Sequence, residues 1–324
     1  MRLRLAAALI IPLGIVLPAA GAEPYPAKPI SVVVAFPAGG PTDFIARTVA
    51  QSMQKTLGQQ LTVENVSGAG GTVGVGRVAR ANPDGYSLLV HHIGMATAPT
   101  LYRNLQFDAI QDFIPLGAIA DVPMTLVGRA DFPPQSFQEM LAYVKANGNK
   151  VTYANAGIGS ASHLCGLLFM QAIGTQMTTV PYKGTQPAMT DLLGGRVDLL
   201  CDQTTQTTAQ INANKIKAYA ATTRTRVATL PNLPTLHELG LKDFHVAIWH
   251  ILYTPKNTPK EAVDKLVKAL QAALSDPVVK QRFADLGTEP VALDRATPES
   301  ARAMLKSEIE RWAPVIRAAG QYAD

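Results

Sequence analysis

Charged side chains are scarce in this sequence, where Asp, Glu, Lys and Arg make up 16% of 324 residues. The 29 basic and 24 acidic residues give a formal charge of +5, and without Arg2 and Arg4 the balance is 27 against 24, or +3. No run of Lys and Arg alternates with aromatic residues, so the basic surface of a nucleic-acid-binding protein is missing. We therefore expect no nucleic-acid partner.

Motifs for phosphates, dinucleotides and metals are also missing. The six histidines lack metal-site spacings such as H-E-x-x-H. There is no G-x-x-x-x-G-K-[ST] sequence, which excludes a P-loop. Residues 74–79 match a degenerate G-x-G-x-x-A pattern, but they follow a glycine-rich loop rather than a strand, so we interpret them as helix packing. We expect no cofactor and no metal.

Cysteine occurs only at positions 165 and 201. Both Cys165 and Cys201 lie in apolar stretches, which are typical of buried free thiols. Their spacing does not show whether their Cα atoms come within bonding reach. The sequence therefore favours free thiols and leaves a disulfide open.

The N-terminal 22 residues have the pattern of an export signal. Two arginines precede an apolar run over residues 5–19, and Ala20-Gly21-Ala22 forms an A-x-A cleavage site. The run is shorter than the ~20 residues of a membrane-spanning helix, and two prolines and a glycine interrupt it. We predict cleavage after Ala22, a periplasmic mature chain beginning at Glu23, and no lipid anchor, because no cysteine lies near the cleavage site.

One physical device occurs twice in the chain: a β-branched run, then a glycine-rich turn, then a residue suited to opening a helix. Residues 30–36 lead into the turn at 37–43, and residues 151–155 lead into the turn at 156–160. Such turns present backbone N–H groups at the positive end of a helix dipole, where anions bind readily. The repetition predicts two facing half-sites for a small anion.

Short apolar runs alternate with helix-length segments, which indicates an α/β fold with parallel sheets covered by helices. The spacing of apolar residues predicts a first helix over about residues 41–57, and the pattern restarts with a strand over residues 124–127. Three helices follow residue 246, each with a capping residue before a proline, at Thr258, Asp276 and Thr297. We predict two doubly wound α/β domains joined by a hinge, residues 23–123 plus 246–324 and residues 124–245. Ligands of open α/β sheets bind beyond the carboxyl ends of the strands, so the cleft between the domains is the expected site.

The two glycine turns carry the candidate chemistry. Asp43, at the third position of the first helix, can cap backbone N–H groups but would repel a directly bound anion, so we expect ligand contact through ordered water. In the second turn, Ser160 as an N-cap and His163 three residues later add donors for a carboxylate. The alternative is a secreted serine hydrolase using Ser160 and His163, but the Gly-x-Ser-x-Gly elbow is missing and no acid is spaced to orient His163. We expect a binding protein, not an enzyme.

These turns and several further motifs together resemble the Bug-type (TctC-like) solute receptors of tripartite tricarboxylate transporters. The matching segments span the mature chain in order: residues 36–43, 68–74, 83–86, 157–164, 180–184, 230–235, 254–255 and 258–259. The resemblance implies a type II periplasmic-binding-protein fold, a ligand carboxylate held between loops of both domains, and delivery to membrane transporter subunits. We expect a monomer. The candidate ligand-binding residues are Phe36, Ala38, Gly39, Gly40, Asp43, Gly70, Gly71, His92, Gly157, Gly159, Ser160, His163, Thr185, Pro187 and Asp202.

The chain departs from the family pattern at one position, because Leu167 stands where an acid often follows the Gly-Ser-x-x-His-Leu turn. Residues 90–96, 201–205 and 248–250 resemble a subgroup that includes receptors for terephthalate and other aromatic acids. An aromatic dicarboxylate is therefore one candidate ligand, and the sequence does not name the ligand.

Overall fold

The computed structural model describes residues 24–242, 244–320 and 322–323, so the predicted export signal lies outside the described residues. The strands are β1 (Ile30–Val34), β2 (Leu61–Asn65), β3 (Ser87–His92), β4 (Phe113–Arg129), β5 (Thr152–Asn155), β6 (Thr178–Pro181), β7 (Leu199–Gln203), β8 (Ile216–Ala221) and β9 (Ala247–Pro255). The helices are α1 (Pro41–Leu57), α2 (Thr72–Ala79), α3 (Gly94–Leu101), α4 (Phe137–Asn147), α5 (Ala161–Ile173), α6 (Thr185–Leu193), α7 (Thr204–Asn212), α8 (Lys260–Ser275), α9 (Pro277–Ala284) and α10 (Pro298–Ala319).

The strands follow the order β2-β1-β3-β9-β4-β7-β5-β6, and β8 also pairs with β4. β1 is parallel to β2 and β3, and β5 is parallel to β6 and β7. β4 and β9 pair antiparallel with each other and with their other neighbours. The α/β alternation is confirmed, and parallel pairing is present on both sides of the sheet. The two long antiparallel strands that link these parallel parts were not predicted.

β4 extends over 17 residues and changes partners along its length. It pairs with β9 over residues 113–123 and with β7 and β8 over residues 124–129. The sequence pattern predicts only its second part, because Pro115, Gly117 and Pro123 interrupt the first. A register shift between Pro115 and Gly117 accommodates the irregular stretch. The partner change falls at the domain boundary we predicted, and the division into two domains remains a prediction.

α1 has the bounds that sequence analysis gave it. Pro41 is its first residue and Gly58 ends it in the left-handed conformation with φ +66°. Ile45, Val49 and Met53 recur at helical spacing and are buried. The buried apolar stripe holds α1 against the sheet. The amino terminus of α1 and the glycine turn before it therefore lie at the carboxyl end of β1.

The C-terminal helices pack on the part of the molecule that contains β1 to β3. α8 contacts α1, and α10 contacts α3 and β4. Asp276 and Thr297 cap α9 and α10 as predicted, accepting from the N–H groups of Val278 and Ser300. The predicted Thr258 cap of α8 is wrong, because its hydroxyl donates to the Pro255 carbonyl instead. Among the residues that the structure describes, no helix has the length and apolar character needed to cross a bilayer.

Cys165 and Cys201 are joined in a disulfide, with their Cα atoms 6.2 Å apart. The preference for free thiols was therefore wrong. Both residues are buried, as their apolar neighbours suggested, but burial does not distinguish a thiol from a disulfide. Packing of α5 against β7 brings together positions separated by 36 residues, and local sequence does not report that distance.

Candidate ligand-binding site

The carboxyl ends of five strands, β1, β3, β5, β6 and β7, converge on one small cavity. Its volume is about 20 Å³. The described residues that line the cavity include no Asp, Glu, Lys or Arg. The one histidine among them, His92, has a lowered pKa and is neutral at physiological pH. The lining residues are Phe36, Pro37, Gly40, Pro41, Thr42, His92, Ala156, Ser160, Ala161, Ser162, Thr185, Gln186 and Gln203.

One side of the cavity is formed by the first glycine turn and the end of β3. The rings of Phe36 and His92 stack with their centroids 4.5 Å apart. His92 Nδ1 accepts from the Gly94 N–H at 3.0 Å, so the neutral ring carries its proton on Nε2. Burial, together with the nearby His91 and His250, holds the pKa of His92 well below its usual value. His92 is therefore a neutral donor at physiological pH.

Two further histidines pack behind His92. His250 Nε2 lies 3.3 Å from Thr42 Oγ1, and the His92 and His250 rings meet edge to face. Burial lowers the pKa of His91 to about 4, and burial, followed by repulsion from His91, lowers that of His250 to about 3. The histidine cluster therefore supplies hydrogen bonds and aromatic surface rather than positive charge.

Asp43 stabilises the first turn from outside the cavity. Its Oδ2 accepts from the Gly39 N–H at 3.0 Å and from Arg47 Nε at 2.9 Å, and its Oδ1 accepts from Asn65 Nδ2 at 2.8 Å. Burial raises the pKa of Asp43, but these three hydrogen bonds outweigh it and keep the pKa below its usual value. The predicted capping of a turn N–H is confirmed, and contact with a ligand through water remains a prediction.

The other side of the cavity is formed by the start of α5. Ser160 is the N-cap, and its hydroxyl accepts from the His163 backbone N–H at 3.2 Å. Ser162 Oγ accepts from the Ala156 N–H at 2.8 Å and lies 3.2 Å from Ser160 Oγ. The amino end of α5 therefore borders the cavity, and its dipole favours a negative charge there.

His163 lies behind this wall. Its Nδ1 accepts from the Gly159 N–H at 3.3 Å. In a serine-hydrolase triad the histidine Nδ1–H donates to a carboxylate instead. The hydrogen bond observed at His163 holds the glycine turn and does not favour the hydrolase alternative.

The two sides touch along the edges of the cavity. Tyr102 Oη donates to the Ile158 carbonyl at 2.9 Å, and Thr97 Oγ1 donates to the Gly159 carbonyl at 3.1 Å. A Cβ placed on Gly70 would lie 2.1 Å from the Ile158 oxygen, so these backbones are in direct contact. A 20 Å³ space holds about one water molecule. The structure is therefore a closed arrangement, whose two sides must separate before the cavity can hold anything larger than a water molecule.

The remaining wall lies at the starts of α6 and α7. Thr185 Oγ1 donates to Gln206 Oε1 at 2.9 Å, and Gln206 Nε2 donates to Gln186 Oε1 at 2.8 Å. Asp202 is fully buried behind them, with Oδ1 accepting from the Gln203 N–H at 2.8 Å. Burial raises the pKa of Asp202 to about 7, although the hydrogen bond from the Gln203 N–H opposes the shift.

The raised pKa of Asp202 predicts a pH effect on stability. In the unfolded chain an aspartate loses its proton near pH 4, whereas folded Asp202 keeps it to about pH 7. The folded state therefore binds more protons between these values, and its free energy of unfolding falls as pH rises through this window. We expect Asp202→Asn to remove this fall.

Urea unfolding of both proteins at several pH values from 4.5 to 8 measures the effect. The buried histidines, whose lowered pKa values act in the opposite direction, cancel in the comparison of the two proteins. Curves for wild type and Asp202→Asn that run parallel across the range would contradict the prediction.

Five of the predicted site residues line the cavity: Phe36, Gly40, His92, Ser160 and Thr185. Gly70, Gly157 and Gly159 instead form the contact between the two sides, and Gly71 packs on His91. The others lie outside the cavity wall among the described residues, and their roles in binding remain predictions: Ala38, Gly39, Asp43, His163, Pro187 and Asp202.

Four polar lining residues were not predicted: Thr42, Ser162, Gln186 and Gln203. Gln203 had the clearest signal, because it is the last residue of a strand whose carboxyl end faces the site. Thr42, Ser162 and Gln186 lie in the first turns of α1, α5 and α6, where only the helix orientation decides which side chain enters the cavity.

This architecture is that of a periplasmic binding protein with the type II fold, as expected. A solved structure titled "Structure of periplasmic binding protein BugD" has 52% sequence identity and a TM-score of 0.90, covering 93% of this chain and 100% of that one. MatC from Rhodopseudomonas palustris, solved with bound malate, has 37% identity and a TM-score of 0.87, covering 90% of this chain and 100% of that one. The UPF0065 protein in the TAR-I ttuE-ttuC' intergenic region of Agrobacterium vitis is 54% identical over 299 residues, which is 92% of this chain and 86% of the relative.

The family model described as "Tripartite tricarboxylate transporter family receptor", TctC, matches residues 45–321. The chain belongs to this family. Its members are periplasmic solute-binding receptors that bind small carboxylates and work with tripartite transporters. The resemblance to Bug-type receptors is thereby confirmed.

Proposed function

We propose that this protein, after removal of residues 1–22, captures a small carboxylate in the periplasm and delivers it to the membrane subunits of a tripartite tricarboxylate-type transporter. The observation that supports the proposal most directly is the uncharged cavity where five strand ends and the amino end of α5 meet. An anion there would be held by neutral donors, the His92 Nε2–H, serine hydroxyls and backbone N–H groups.

In capture and release, the two predicted domains, residues 23–123 plus 246–324 and residues 124–245, would move relative to each other. The contacts Tyr102–Ile158 and Thr97–Gly159 join the two parts across the cavity. Each part supplies one wall, so a ligand bridging both favours the closed arrangement by its extra contacts. The proposed hinge consists of β4, which crosses from one part to the other at residues 123–124, and of the segment at residues 245–246 that leads into β9.

Isothermal titration against succinate, L-malate, adipate, terephthalate and citrate tests the proposal. We expect one-to-one binding of at least one dicarboxylate. Terephthalate belongs in the panel because the stacked Phe36 and His92 rings offer an aromatic surface. Absence of binding across the panel, or hydrolysis of an activated ester that Ser160→Ala abolishes, would contradict it and favour an enzyme.

A serine exchange isolates the contribution of the α5 start. Ser160→Ala removes a hydroxyl that borders the cavity, and we expect ligand binding to weaken by about 1–3 kcal/mol. Ser136→Ala is the matched control, since Ser136 caps α4 with the same 3.2 Å bond length to a backbone N–H and lies outside the cavity wall. Both variants lose a helix cap, so equal ligand affinity in the two would show that Ser160 acts only on helix stability.

A further inference from the structure

One polar side chain in the cavity wall lacks a hydrogen-bond partner. Thr42, Ser160, Ser162, Thr185 and Gln186 each have a polar contact described above, whereas Gln203 Oε1 has none among the described residues. Gln203 is 3% exposed, so its oxygen has no bulk solvent in place of a partner. Buried polar atoms are hydrogen-bonded in the great majority of cases, so an orphaned one in a residue that lines a ligand cavity is a candidate for a ligand contact.

The position of Gln203 suits such a contact. It is the last residue of β7 and precedes α7, but its side chain makes no capping hydrogen bond. Asp202 Oδ2 and Thr205 Oγ1, beside it in sequence, are also buried without partners. Neither of these two residues lines the cavity, and Thr205 borders a separate depression beside Gly39. Of the three residues with an orphaned group, only Gln203 lines the cavity.

An amide oxygen accepts hydrogen bonds and a ligand carboxylate offers no donor, so the carboxylate does not satisfy Gln203 Oε1. Building on the proposed function, we infer that Gln203 accepts a hydrogen bond from a hydroxyl or ammonium substituent of the bound acid. Gln203 is then a specificity-determining residue that favours hydroxy- or amino-dicarboxylates over unsubstituted ones. An unsubstituted acid would leave the oxygen buried and unpaired, and that penalty is the source of the selectivity.

The test is isothermal titration with L-malate, L-aspartate and succinate, which share a four-carbon dicarboxylate skeleton and differ in the substituent. For the wild type we expect malate or aspartate to bind at least about 10-fold more tightly than succinate. Gln203→Met keeps a side chain of similar length without the amide oxygen. The affinity for malate or aspartate relative to succinate should then fall below about threefold, while the affinity for succinate changes little. Gln203→Glu keeps an acceptor and should retain the preference, shifted toward aspartate if the donor is an ammonium group.

Thr205→Val is the control, because it removes a neighbouring orphaned hydroxyl outside the cavity wall, and it should leave the ratio unchanged. The inference is overturned if the wild type binds succinate as tightly as the substituted acids, or prefers adipate or terephthalate, which have no donor. It is also overturned if Gln203→Met weakens all three acids equally, or if Thr205→Val changes the ratio as much as Gln203→Met does. If the wild type binds none of the carboxylates tested, the proposed function is refuted, and this inference with it.

Discussion

Replacing Gly70 with alanine is expected to weaken binding of the preferred carboxylate by at least about 100-fold, or roughly 2.7 kcal/mol. The added Cβ would lie 2.1 Å from the Ile158 carbonyl oxygen and 2.7 Å from Tyr102 Oη. The first neighbour is backbone and cannot rotate aside, so the two sides of the cavity must separate. A cavity that cannot close exposes the bound anion to water and loses contacts from one wall.

Gly58→Ala provides a close control for the backbone strain. Gly70 has φ +60° and Gly58 has φ +66°, so alanine is similarly strained at both, but nothing lies within 4 Å of a Cβ at position 58. Both variants should lose about 1 kcal/mol of unfolding free energy. Only Gly70→Ala should lose affinity for the ligand, which titration measures. It should also lose the compaction on ligand binding that small-angle scattering detects. Equal affinity in the two variants would show that the Gly70–Ile158 contact is not needed for binding.

Sequence patterns located the two glycine turns, because each depends on local rules. A β-branched run, a glycine and a helix-opening residue identify a strand, a turn and a helix start, and Phe36, Gly40 and Ser160 do line one cavity. Their convergence follows from the rule that carboxyl ends of parallel strands lie at the same edge of a sheet. The prediction of facing half-sites therefore depended on fold topology as well as on the motifs.

The features that sequence analysis missed depend on distances between remote segments. The cross-cleft approach of Gly70 to Ile158, separated by 88 positions, has no local signature, and the glycine cluster at 68–74 was grouped with the ligand loops instead. Asp43 was expected near the ligand, yet its oxygens are taken up by Gly39, Arg47 and Asn65. The antiparallel crossing strands were obscured by prolines in β4, which local propensity disfavours and tertiary pairing tolerates.

Removal of the Cys165–Cys201 disulfide is expected to cost about 4 kcal/mol of unfolding free energy in the double variant Cys165→Ala/Cys201→Ala. The bond closes a loop across 36 positions, and a cross-link of that length removes roughly this much conformational free energy from the unfolded chain at 25 °C. The loss of buried sulfur atoms between α5 and β7 adds to the destabilisation. Urea unfolding monitored by circular dichroism measures the change.

The urea dependence separates an effect on the unfolded chain from damage to the folded core. If the disulfide acts by restricting the unfolded chain, its removal lets that chain expand, so the dependence on urea should become steeper as stability falls. Wild-type protein unfolded in the presence of a reductant should then show the same steeper dependence on urea as the double variant, because both unfolded chains lack the cross-link. A difference below about 1 kcal/mol between oxidised wild type and the variant would contradict the expected cost. An unchanged slope with a large loss would place the effect in the packing of α5 on β7, the two elements that carry Ser160 and Gln203 to the cavity.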